Sequence, residues 1–146
     1  MEKKNKAIFL DRDGVINRAI IKNHKPYPPK SINKFKIYNN VKLLNNFKKK
    51  YYLIIITNQP DVKNKIIKKE LVKKFHKKIL NNLLVDKIYV CYHNDQDKCS
   101  CRKPGIKFFL DAKKKFNLSL KKSYFIGDRW RDMLAGNKAK CINIFL

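Results

Sequence analysis

The chain has 146 residues, enough to bury a real hydrophobic core and few enough to be read as one domain spanning 1–146. Its hydrophobic fraction of 44% fits a soluble globular protein, and no apolar run nears the ~20 residues that cross a bilayer, which excludes an integral membrane protein of the helical kind. The formal net charge of +25 invites a polyanion-binding reading, weighed below.

The start, Met1–Lys6, is charged, and the apolar stretch after it stops at Asp11, so there is no core for a secretory signal and the expected location is the cytoplasm. Short β-rich apolar runs then alternate with lysine-rich amphipathic stretches, the pattern of a parallel sheet with helices on both faces. In chain order, strands are expected at Lys6–Leu10, Tyr52–Thr57, Lys87–Tyr92, Tyr124–Ile126 and Cys141–Phe145. The expected helices are Val41–Lys50, Lys65–Leu84, Ile106–Phe116 and Trp130–Lys138. Leu71, Val72, Phe75, Ile79 and Leu83 recur at helical spacing in the second of these. Lys22–Ser31, with Pro26, Pro28 and Pro29, reads as a loop that rims the pocket, and there is no room for a large inserted cap domain. Asp11, Thr57, Cys91 and Gly127 all fall at the C-terminal ends of strands, the edge where open α/β sheets bind ligands.

Asp11-Arg12-Asp13-Gly14 is the most informative segment. Carboxylates two residues apart at a strand end face the same side, and their repulsion calls for a cation or a proton between them. Of only four glycines, Gly14 and Gly127 each adjoin one of the acids in question.

Asp11-Arg12-Asp13-Gly14-Val15-Ile16-Asn17, Thr57-Asn58-Gln59, Arg102-Lys103-Pro104 and Gly127-Asp128-Arg129-Trp130-Arg131-Asp132 follow one another in this order. In that order they resemble the motifs of the haloacid dehalogenase superfamily of phosphatases, over essentially the whole chain. Within it, the chain is similar to the zinc-containing D-glycero-D-manno-heptose 1,7-bisphosphate phosphatases, with histidinol-phosphate phosphatase domains as cousins. The resemblance implies a Rossmann-like fold and an Mg²⁺-dependent phosphomonoesterase acting on a small sugar phosphate. It would remove the 7-phosphate of a heptose bisphosphate in nucleotide-heptose or surface-polysaccharide precursor synthesis. Phosphate monoesters hydrolyse so slowly that accelerations of up to ~10²¹ are needed, and a covalent aspartyl phosphate splits the barrier in two.

In that scheme Asp11 is the nucleophile and Asp13 the general acid and base. Asp11, the Asp13 backbone carbonyl and Asp128 would hold Mg²⁺, with Asp132 as a further ligand or a support behind them. Thr57 and Asn58 would bind phosphoryl oxygens, Lys103 would neutralise the transferring group, and Arg102 and Arg129 would meet the substrate, Arg129 near its second charged group. The chain departs from the family at Pro60-Asp61-Val62-Lys63-Asn64-Lys65, where an Ala-Arg-Gly-like turn is usual, and at Lys103-Pro104-Gly105-Ile106, where the common run is Lys-Pro-x-Pro-Gly. It stops at Leu146, directly after the last expected strand.

Cys91-Tyr92-His93 followed by Cys99-Ser100-Cys101 is a second constellation. Three thiols and an imidazole in a chain read as cytosolic favour metal over disulfide, and this set suits tetrahedral Zn²⁺ with no open position, hence a structural site. The alternative is free or redox-active thiols. The metal would staple the polar loop Asn94–Lys98 and fix Arg102 and Lys103 beyond it. Cys141 reads as a small core residue, His76 as structural, and His24, Lys25 and Tyr27 as structural or rim residues. Trp130 is expected to pack under the phosphate site.

Two other readings stand beside a monomeric sugar-phosphate phosphatase. The lysine excess would suit a nucleic-acid end-processing phosphatase or polyanion binder, although only Arg12, Arg18, Arg102, Arg129 and Arg131 are arginines and these lie in or beside the motifs. The other is a zinc-stapled interaction module with a dead active site.

Overall fold

The structure, a computed structural model, describes residues 5–146; the charged start Met1–Lys4 lies outside them. Strand β1 (Ala7–Leu10) precedes a hairpin of β2 (Ile20–Lys22) and β3 (Lys25–Tyr27), and then comes β4 (Tyr52–Asn58). Helix α1 (Lys69–Leu80) leads into β5 (Lys87–Cys91), α2 (Lys107–Phe116) into β6 (Tyr124–Gly127), and α3 (Trp130–Ala139) into β7 (Ile142–Phe145). Five strands form one parallel sheet in the order β5-β4-β1-β6-β7. Each lies within one residue of its expected bounds.

β1 is central and buried throughout, and its residues alternate between two cores, as period-two geometry requires. Ala7 and Phe9 join Ile54, Ile56 and Phe125 beneath Phe109 and Ala112 of α2 and Ala135 and Ala139 of α3. Ile8 and Leu10 join Leu53 and Ile55 on the opposite face, against Phe35, Phe75 and Ile79, with α1 supplying the last two. The chain runs from β1 outward to β4 and β5, then returns to β6 and β7 on the other side. Where strand order reverses, the loops leaving neighbouring strands diverge and open a crevice at the carboxyl edge. Asp11, Asn58 and Asp128 therefore meet at one edge.

Three expectations need correction. Val41–Lys50 is not an α-helix: residues Asn39–Phe47 form a 3₁₀ helix whose one buried residue is Val41. Four asparagines give this segment little helical preference, and Asn45 bonds outward, accepting from the Leu84 N–H and donating to the Asn82 carbonyl. The helix expected over Lys65–Leu84 is shorter, because Lys65 takes a left-handed conformation (φ 58°) in a turn closed by bonds from Asn64 to Pro60 and from Ile66 to Asp61. Lys22–Ser31 is not simply loop. Asn23 and His24 both have positive φ (48° and 60°), the turn that joins the twisted strands β2 and β3, and Asn is tolerant of it. No helix among the described residues is long and apolar enough to cross a membrane.

Candidate active site

Asp11 leaves the end of β1 with its carboxylate buried, and Lys103 Nζ donates to its Oδ1 at 2.8 Å. The same ammonium lies 2.7 Å from Asp132 Oδ1. Burial works to lower the Lys103 pKa, but the charges of Asp11 and Asp132 more than offset this and hold it above the ordinary value. Burial pushes Asp11 up to about 7 even with Lys103 beside it, and the charges of Asp132 and Asp13 add to the rise. Asp128, at the end of β6, is also raised, by burial first and by Asp132 second.

Asp13 is held differently. Arg12 grips it with two bonds from Nη2 (2.9 and 3.0 Å), Asn17 Nδ2 donates at 2.9 Å and Gln59 Nε2 at 2.8 Å. Burial works to raise Asp13, but the Arg12 charge and these donors win, keeping its carboxyl below the usual range. Arg12 is itself fully buried, with its guanidinium carbon 5.5 and 5.4 Å from the stacked rings of Phe35 and Phe75. His76 Nε2 lies 3.4 Å from Arg12 Nη1.

Gly14 explains how the loop after β1 and the loop after β6 approach so closely. It has φ +89°, and a Cβ there would sit 1.9 Å from Asp128 Oδ2. Asp11, Asp128 and Asp132 each bring a carboxylate oxygen within 4.8 Å of the others. Both oxygens of Asp132 are engaged, one by Lys103 and the other by the Asp128 and Arg129 N–H groups at 3.2 Å. Asp128 Oδ1, by contrast, is buried with no hydrogen-bond partner. Two carboxylates with raised pKa values and an orphaned oxygen form a donor set suited to a hard divalent cation, with Asp11 and Asp128 as its side-chain ligands. The Asp13 carboxylate is taken up by Arg12, Asn17 and Gln59 and is not among the three that converge.

The cysteine segment converges as well. Cys91 Sγ lies 3.4 Å from His93 Nδ1, 3.7 Å from Cys99 Sγ and 3.2 Å from Cys101 Sγ, and Cys101 lies 3.3 Å from His93 and 3.6 Å from Cys99. Ligands about 2.3 Å from a tetrahedral zinc would be separated by roughly 3.8 Å, so these four donors frame a volume of that size. Burial and the neighbouring thiols raise Cys91 well above its ordinary pKa. Binding a metal there requires the thiols to lose their protons, so occupancy of the cluster is coupled to pH. The Arg102 N–H also points at Cys99 Sγ (3.4 Å). No disulfide joins these cysteines, and Cys141 is a partly buried neighbour of the core.

A cavity of about 400 Å³ opens above Asp11 and Lys103. Asp13, Asn58 and Asp132 share its lining, Pro26, Tyr27 and Pro28 of the hairpin form one rim, and Arg102, Arg129 and Arg131 another. Thr57 lies below the lining, accepting from Gln59 Nε2 at 2.8 Å. The Asn58 amide is spent on the backbone of Lys103 and so is not directed at a ligand. Arg129 donates to the Pro26 carbonyl at 3.0 Å, linking α3 to the hairpin. Trp130 is 64% exposed on the rim and does not pack under the site. Tyr27 lines the cavity and His24 does not, while His76 proves structural through Arg12. Sequence reasoning missed Arg12 and Arg131. An arginine between two motif aspartates, in a chain that otherwise uses lysine, was the available signal.

Fold and site together define an aspartate-centred phosphatase of the haloacid dehalogenase type. The sequence pattern of the family described as polynucleotide kinase 3 phosphatase matches residues 7–140, and the chain belongs to that family. It is 35% identical, over 97% of its length and 83% of the relative's, to a D-glycero-beta-D-manno-heptose-1,7-bisphosphate 7-phosphatase of Helicobacter pylori. It is 38% identical to a D-glycero-alpha-D-manno-heptose-1,7-bisphosphate 7-phosphatase of Campylobacter jejuni, over 93% of this chain and 78% of that one. Its fold matches a D,D-heptose 1.7-bisphosphate phosphatase from B. bronchiseptica, complexed with magnesium and phosphate, with TM-score 0.84 at 24% identity, covering 96% of this chain and 79% of that one.

Proposed function

We propose that this protein is a cytoplasmic, monomeric phosphomonoesterase that removes the 7-phosphate of a heptose 1,7-bisphosphate, a step of carbohydrate metabolism. The observation that carries the reading is the contact of Lys103 with Asp11 across 92 positions of sequence, at the switch point of the sheet.

Asp11 attacks the phosphorus, the ester P–O bond breaks, and Asp13 delivers a proton to the departing sugar oxygen. Water then attacks the aspartyl phosphate, Asp13 takes its proton, and the P–O bond to Asp11 breaks to release inorganic phosphate. In the ligand-free site Asp13 is held ionised, the form needed for the second step. The negative charge of an entering phosphate favours its protonation for the first. Lys103 is fixed before substrate arrives, so it stabilises developing charge without reorganising. Thr57, buried beneath the lining with its oxygen accepting from Gln59, helps to hold Gln59 against Asp13. Asp132 holds Lys103 and the loop after β6 in place. Mg²⁺ bound by Asp11, Asp128 and the Asp13 carbonyl would neutralise the attacking carboxylate and the phosphoryl oxygens. Zn²⁺ on Cys91, His93, Cys99 and Cys101 would be structural, because four protein ligands leave no open position.

The rim decides between substrates. Histidinol phosphate offers no second anion: its end remote from the phosphate is an imidazole and its cationic amine lies beside the ester carbon, so the rim arginines Arg102, Arg129 and Arg131 gain no charge partner from it. A second phosphate is favoured in the same place. A cavity of about 400 Å³ also suits one small phosphosugar better than a polynucleotide end. The test is a panel of heptose 1,7-bisphosphate, histidinol phosphate and a 3′-phosphorylated oligonucleotide, assayed with Mg²⁺. The bisphosphate should lead in kcat/KM by about 100-fold or more. Preference for either other substrate would overturn the assignment.

A further inference from the structure

Asp95, in the cysteine-bounded loop, joins two arginines of the rim. Arg131 Nη1 and Nη2 donate to its Oδ1 and Oδ2 at 2.7 and 3.2 Å, and Arg102 Nε donates to the same Oδ1 at 2.8 Å. Arg102 is further tied to the His93 carbonyl (3.4 Å), and the Arg131 guanidinium stacks 5.3 Å from the Trp130 ring. A single carboxylate thus holds two guanidinium groups side by side at the mouth of the cavity, one from the loop and one from α3. Two positive charges against one negative leave the pair net cationic, with N–H groups unspent on both forks.

The choice of residue is informative. Lysine fills the surface almost everywhere, yet this position is arginine, where a planar fork matters. The group being hydrolysed is served at the floor by Lys103, so the rim pair is left for something else. Resting on the bisphosphate reading above, we propose that Arg131 is a specificity-determining residue that binds the second, non-reacting phosphate of the substrate together with Arg102, and that Asp95 is the positioning residue that sets the spacing of the two guanidinium groups.

The experiment compares kcat and KM of wild type, Arg131→Gln, Arg131→Lys and Asp95→Asn on heptose 1,7-bisphosphate and on the same heptose bearing the 7-phosphate alone. Arg131→Gln should lower kcat/KM for the bisphosphate about tenfold or more beyond its effect on the monophosphate, mainly through KM. Arg131→Lys should recover only part of that selectivity, because an ammonium supplies charge without the fork. Asp95→Asn should raise KM for the bisphosphate and leave the monophosphate less affected, a split that a merely structural role would not produce. Equal losses on both substrates, or full selectivity in Arg131→Gln, would overturn the inference. If wild type itself does not prefer the bisphosphate, the functional reading fails, and that outcome is separate from these.

Discussion

Asn58 spends both halves of its side-chain amide on the backbone of Lys103: Oδ1 accepts from the Lys103 N–H at 3.0 Å and Nδ2 donates to the Lys103 carbonyl at 3.2 Å. The end of β4 is thereby fastened to the residue that follows the cysteine cluster. Lys103, only 2% exposed, reaches Asp11 and Asp132 from a backbone with no freedom to drift. Asn58→Ala should lower kcat by roughly 10- to 100-fold, because small misplacements of a charge-stabilising group are costly. Asn58→Asp should be as poor, since it cannot donate to the carbonyl. Steady-state kinetics beside thermal unfolding checks this; unaltered kcat in Asn58→Ala would show that Lys103 is positioned by other means.

Gly14 allows the two acidic loops to touch. A methyl group there would strike the Asp128 carboxylate at 1.9 Å, at a φ that side chains rarely adopt. Gly14→Ala should therefore raise the Mg²⁺ concentration for half-maximal activity by roughly 10- to 100-fold, as disturbed metal ligands usually do. Titrating Mg²⁺ in the activity assay reads it directly.

His76 carries the pH prediction. Burial and then the Arg12 charge lower its pKa from 6.5 to about 4. Between those values the unfolded chain binds a proton that the folded chain refuses, so the contribution of His76 is fully present above pH 6.5 and is lost as pH falls toward 4. The whole effect is about 3 kcal/mol. Asp11, raised to about 7, acts with the opposite sign in the metal-free protein, so the measurement must be a difference. The stability of wild type minus that of His76→Gln, from denaturant unfolding at saturating Mg²⁺, should shrink as pH drops from 7 toward 4. A difference independent of pH would show His76 to be unperturbed.

The purified protein should hold about one zinc per chain, and stripping it should lower Tm and kcat together. The two are linked because Arg102 and Lys103 follow Cys101 directly. Full activity in zinc-free protein would leave the cluster without a structural role.

Strand positions were legible because β1 and β4 are buried on both faces and so are apolar without interruption. Asp11, Asp13 and Asp128 were legible as acids at or just past strand ends, and Lys103 by its place in the ordered set of motifs. The hairpin was hidden because three prolines outweighed the Asn23-His24 turn, and the 3₁₀ helix because Asn45 serves a tertiary contact that local pattern does not register. Asp95 and Arg131 act on each other across 36 positions, and Arg12, though it grips the next residue, is packed on the distant rings of Phe35 and Phe75, so a linear reading sees only their charge. The Asn58 amide shows the same limit: its residue type suited a phosphate ligand, and the structure gives it to a backbone.

The central claim is that Asp11 itself accepts the phosphoryl group. Acid-quenching the enzyme during turnover and weighing its peptides by mass spectrometry tests this most directly. The peptide containing Asp11 should appear with an added phosphoryl group at that residue, and Asp11→Asn should abolish both the adduct and turnover. Turnover at wild-type rate in Asp11→Asn, or a phosphoryl group found on another residue, would contradict the account.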